Sequence, residues 1–79
     1  MAIQRDGQAY QVATTGFNED TYTVVTLDEF GIVTAEVTVA MDDLDCNSPQ
    51  YPVWEGPNLL ISCEESGTIY RAMPPFGVN

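Results

Sequence analysis

Apolar and polar positions alternate along much of the chain with the period of two that a half-buried β-strand requires. The pattern is clearest over residues 32–40. There Val33, Ala35, Val37 and Val39 share one face, and Ile32, Thr34, Glu36 and Thr38 share the other. Thr21–Leu27 is almost wholly β-branched or aromatic, a composition that fits a pleated, packed surface. Asp28, Glu29, Phe30 and Gly31 separate these two runs, so the runs are expected to pair as an antiparallel hairpin. Residues 2–5 and 8–14 flank Asp6-Gly7, a dipeptide favoured in two-residue hairpin turns. Residues 14–18 are polar and broken by Gly16, which predicts a loop or one short helical turn.

Further along, Asn58–Cys63 and residues 68–73 read as strands around Glu64-Glu65-Ser66-Gly67, a type I turn closed by glycine. Pro52 and Pro57 keep residues 51–57 out of any central strand, because proline donates nothing to the ladder. Residues 41–50 are acidic and irregular, with room for a helical turn near 42–45. The two prolines after Met73 end the last strand and predict a loose tail. The expected fold is mainly β, or α+β with little helix. It is one small antiparallel sheet of four or five strands, with one face partly covered by loops or a short helix.

With 79 residues the chain makes one domain, residues 1–79, of marginal size for a hydrophobic core. Twelve acidic residues stand against Arg5 and Arg71, giving a net charge of −10 with no lysine or histidine. A chain so charged repels phosphates and anionic membranes, so direct nucleic-acid and membrane partners are excluded. Histidine general-base chemistry and lysine Schiff bases are excluded as well. Hydrophobic residues make up 44% of the chain, too many for a disordered acidic segment. The expected activity is therefore binding rather than catalysis. No stretch has the apolar core of a signal peptide or the length of a membrane span, and the expected location is cytoplasmic.

Cys46 and Cys63 are expected as two reduced thiols, Cys63 acting as a small hydrophobe inside its strand. Two thiols at no paired spacing, without histidine, make no metal site. Asp42, Asp43 and Asp45 lack the alternating ligands, central glycine and closing glutamate of a calcium loop. No cofactor is expected. Trp54, in Pro49-Gln50-Tyr51-Pro52-Val53-Trp54, either closes one end of the core or forms an exposed hot spot with Tyr51. The apolar face of residues 33–39 needs a lid, and the available covers precede Asp20 or lie between Met41 and Trp54. A partly open apolar groove rimmed by carboxylates follows, a feature that marks protein–protein sites.

Three stretches are similar to the phage uracil-DNA glycosylase inhibitors, which are small acidic single-sheet proteins that mimic DNA. Glu19 and Asp20 precede a β-branched strand that ends in Asp28 and Glu29. Pro49, Tyr51 and Trp54 reproduce a proline–tyrosine–tryptophan spacing. Leu59-Leu60-Ile61, followed by Glu64, Ser66 and Gly67, resembles the family's penultimate strand and its acidic turn. Together the stretches cover residues 19–73. The N-terminal part departs from the family: only 18 residues precede Glu19, with no room for two full helices and no Glu-Ser pair. The segment between Glu29 and Pro49 is longer than the family's. The chain therefore resembles a divergent member with a shortened N-terminus.

The resemblance implies a non-catalytic inhibitor that blocks the DNA-binding groove of uracil-DNA glycosylase, one to one. The family's own acidic contacts do not transfer to the shortened N-terminus; the acids expected to form the DNA-like array here are Glu19, Asp20, Asp28 and Glu29, extended by Asp42, Asp43 and Asp45. Val33, Val37, Val39, Leu60 and Ile69 would line the apolar groove that receives a side chain of the enzyme. Eight residues of strand span on the order of 26 Å, several phosphate steps of duplex DNA. Two alternatives remain: an acidic inhibitor of another DNA-binding defence enzyme, a restriction or CRISPR effector, and a small halophilic or virion interaction module.

Overall fold

A computed structural model describes residues 1–41, 44 and 46–77. The fold is mainly β and antiparallel, as the periodicity predicts, and the described residues include no α-helix. It differs in being divided: among the described residues seven strands form two sheets, rather than four or five forming one. Strands β1 (Ala2–Asp6), β2 (Ala9–Gly16), β3 (Thr21–Leu27) and β4 (Val33–Ala40) make a meander in that order. Strands β5 (Pro49–Glu55), β6 (Asn58–Cys63) and β7 (Thr68–Ala72) make the second sheet. The prolines explain the division. Pro49 and Pro52 suit β5 to an edge, and β5 pairs with β6 alone, irregularly between Gln50 and Val53.

Side chains paired across an antiparallel ladder share a face, so the register assigns each residue to a surface. Ala2, Ala13, Val24 and Val37 form one row across the first sheet. On the second sheet, Trp54, Leu59 and Ala72 form another. The core lies between these faces. It comprises Ala13, Tyr22 and Val24 from the first sheet, Leu59, Ile61, Cys63 and Ala72 from the second, and Met41 and Cys46 from the connection. Trp54 closes one side of it, its indole Nε1 donating to the Ala2 carbonyl at 3.2 Å. Burial pushes the Tyr22 hydroxyl up to about 12, with nearby Tyr70 adding to the effect, so it stays protonated near neutral pH.

Several local expectations are corrected. The first hairpin turns on Gly7 and Gln8, one residue later than Asp6-Gly7, because Asp6 pairs with Ala9. Thr14, Thr15 and Gly16 continue β2, since Gly16 pairs with Thr21. A bulge between Thr26 and Leu27 sets Val33 opposite Leu27, away from the face of Val37 and Val39. Residues 74–77 are packed through Phe76 and Gly77 rather than loose. Phe76 meets Tyr22 and Trp54 edge-on, with ring centroids 6.4 and 6.0 Å away, and Gly77 lies against Val37 and Val39. This C-terminal segment and the second sheet supply the lid.

The cysteines are not the two reduced thiols expected. Cys46 and Cys63 form a disulfide, with both residues buried in the core. It fastens the connection between the sheets to the end of β6, a pairing that sequence spacing alone does not reveal. Among the described residues no helix is long and apolar enough to cross a membrane.

Candidate functional site

The molecule is elongated, 37 × 21 × 19 Å, and its carboxylates collect at the turns. At one end the β2–β3 turn carries Glu19 and Asp20, and the β6–β7 turn carries Glu64 and Glu65. These turns belong to different sheets, and Ser48 joins them. Its backbone N–H donates to Asp20 Oδ1 at 2.9 Å, and its carbonyl accepts from the Glu64 amide at 3.2 Å. Alongside it, the Asn47 carbonyl accepts from the Glu65 amide, and the Asn47 amide donates to Ser66 Oγ. The disulfide at the neighbouring Cys46 and Cys63 fixes the junction covalently.

Like charges are thus gathered at one end against their repulsion. Neither arginine offsets them there. Arg5 stands beside the β1–β2 turn, its Nε donating to the Gly7 carbonyl and its guanidinium 5.9 Å from the Tyr10 ring centroid. Arg71 is paired with Glu55 at 3.2 Å. Both partners of that pair are exposed, so it contributes little stability.

The candidate acids divide by what their oxygens already do. Asp20 is half-buried and structural: its carboxylate holds Ser48, its carbonyl accepts from the Met41 amide, and its φ is 51°. Asp28 Oδ1 accepts from the amides of Phe30 and Ile32, at 2.9 and 3.0 Å, and shapes the β3–β4 turn. Glu29 is exposed at that turn, at the opposite end of β3 from Glu19. Glu19 is exposed, and its carboxylate folds back toward Gly16. An added Cβ at Gly16 would lie 2.5 Å from Oγ1 of Thr21, its partner across the β2–β3 ladder, and glycine relieves that approach. Asp42, Asp43 and Asp45 lie outside the described residues.

No family model, curated protein or solved structure matches the chain.

The five apolar candidates do not line one groove. Val37 and Val39 pack against the core. Val33 lies on the outer face of the first sheet, opposite Leu27. Leu60 and Ile69 sit on the outer face of the second, in register with Val53 and Gln50 positions rather than with the buried Leu59 and Ile61. Glu64 and Glu65, by contrast, were expected only as turn residues. Their signal is adjacency to Cys63: once Cys63 is bridged to Cys46, the turn that follows it is held beside the connection. Among the described residues no cluster of acids and thiols could hold a metal ion.

Asp20 gives a direct check on this division. Asp20→Ala should cost about 1–3 kcal/mol, because it leaves the buried Ser48 amide unpaired and puts alanine at positive φ. Asp20→Asn keeps the acceptor and tolerates that backbone, so it should cost less than about 1 kcal/mol. Urea unfolding of both variants measures the difference. Equal losses would show that charge, not the hydrogen bond, is what matters at this position.

Proposed function

We propose that the protein is a non-catalytic, DNA-mimicking inhibitor that inserts its carboxylate-bearing end into the DNA-binding groove of a basic enzyme. The observation that carries this reading is the meeting of the Glu19-Asp20 and Glu64-Glu65 turns, from two sheets, at one end without an offsetting arginine. A preformed anionic surface steers encounter with a basic groove and fixes orientation. Uracil-DNA glycosylase is the first target to test, on the strength of the Pro49, Tyr51 and Trp54 spacing and the acidic turn after β6. Tyr51 is 70% exposed and available as an anchor, whereas Trp54 is engaged with Ala2. Restriction and CRISPR effectors share the required groove chemistry and come next.

The test is a uracil-excision assay with near-equimolar protein. Inhibition that weakens as salt is added is expected, because screening acts on exposed charges. No inhibition at large molar excess would sink the glycosylase reading.

One observation favours a second reading, a small virion interaction module. The Cys46–Cys63 disulfide is a bond that persists in oxidising surroundings and is rare in the reduced cytosol. Thiol labelling of the protein from its native source, after denaturation, separates the two settings. Two labelled cysteines would place it in a reducing cytoplasm, and none would favour the virion module.

A further inference from the structure

Among the described residues, none covers the outer face of the first sheet. It presents Ile3, Tyr10, Val12, Val25, Leu27 and Val33 in two adjacent rows, with Ile3 61% and Val33 54% exposed. Beyond them the face continues with threonines, of which Thr23 and Thr38 share a hydrogen bond at 2.9 Å. Alternating faces of this kind are what a β-sandwich buries between its sheets. The surrounding charge makes the observation sharper. In a chain of net charge −10, the strand residues of this face include one cation, Arg5 on β1, and one anion, Glu36 on β4.

We infer that this face is the interface of a two-fold dimer, a second copy of the chain being its partner. Charge and area both select that occupant. A basic partner is drawn to the carboxylate-bearing ends, whereas this face has no net charge to attract one. Its two charges lie on opposite edge strands. A two-fold axis parallel to the strands, midway between two facing sheets, lays β1 of each copy over β4 of the other. Arg5 then faces the second copy's Glu36 twice, as an isologous interface requires. Arg5 lies in the row of Leu27 and Glu36 in the row of Val25. Same-face rows are separated by about 7 Å along the strand, within the reach of an arginine side chain.

Four strands about 4.8 Å apart and seven residues at about 3.3 Å each give a face of roughly 400–450 Å². Two such faces bury on the order of 900 Å² of flat area, and more as accessible surface. That approaches the roughly 1,000 Å² a specific interface needs, and it sets a weak dimer with a dissociation constant of about 10–100 μM. The same axis brings both carboxylate-bearing ends to one side, so added salt strengthens association instead of weakening it.

Sedimentation equilibrium across that concentration range tests the inference. The mass should rise from 8.7 kDa toward twice that value, and more steeply at high salt. Arg5→Glu should weaken the dimer about tenfold or more, and Glu36→Arg likewise. Combining them, R5E with E36R, should restore it. R5E with E64R has the same net charge but leaves Glu36 unanswered, and it should remain weak. All three positions are exposed, and circular dichroism verifies folding. A monomer at every concentration overturns the inference, as does equal rescue by the two double variants.

Discussion

Removing the Cys46–Cys63 bridge, by alanine at both positions, should lower stability by about 3 kcal/mol. The two cysteines are 17 residues apart in sequence, and a closed loop of that size restricts the unfolded chain by about that amount. For a domain of this length each kcal/mol shifts Tm by about 4–8 °C, so a fall of roughly 12–24 °C is expected in calorimetry. The loss should be accompanied by weaker binding of any basic partner. The bridge stands beside Ser48, which joins the two acidic turns. A fall of only one or two degrees would mean that the bridge adds little to holding the connection between the sheets. A mild reductant should act slowly on the native protein, since both cysteines are buried.

Leu59→Ala should be comparably damaging. Leu59 is fully buried between the sheets, and truncating such a side chain costs about 2–5 kcal/mol through lost burial and the cavity left behind. Small domains have few kcal/mol to lose, so the variant should be largely unfolded near its working temperature. Leu60 is the control. It is adjacent in sequence but lies on the outer face of β6, in register with Val53 and Arg71, and Leu60→Ala should cost well under half as much. Chemical denaturation of the pair reads the difference. Equal losses would contradict the assignment of faces in the second sheet.

The same pair shows how far the chain could be read in advance. Alternation over Asn58–Cys63 identifies a strand and two faces, but nothing local says which face turns inward; the facing sheet decides that. Thr21–Leu27 is recovered to the residue, because its β-branched composition admits no other element. Val33 is displaced by a bulge between Thr26 and Leu27, and a register shift of one residue moves a side chain to the opposite face. The bridge between Cys46 and Cys63 is a long-range fact that two isolated cysteines leave open. Phe76 belongs with it: two prolines suggest a frayed end, yet a large aromatic there finds Tyr22 and Trp54. For the site, the acids were legible as turn residues. Their grouping was not, because it depends on Ser48 bringing together two turns from separate sheets.

That grouping separates the two ends of the molecule by experiment. Glu64→Arg with Glu65→Arg alters the end where the two acidic turns meet. Asp6→Arg with Glu29→Arg makes the same change in net charge at the other end, where the β1–β2 and β3–β4 turns lie. Titration of both variants against uracil-DNA glycosylase, beside the unaltered protein, is the measurement to make. The first should lose about tenfold or more in inhibition, as reversal of contacting charges does, while the second stays close to the unaltered protein. Equal losses from the two, or a loss confined to the second, would contradict binding through the end that Ser48 holds together.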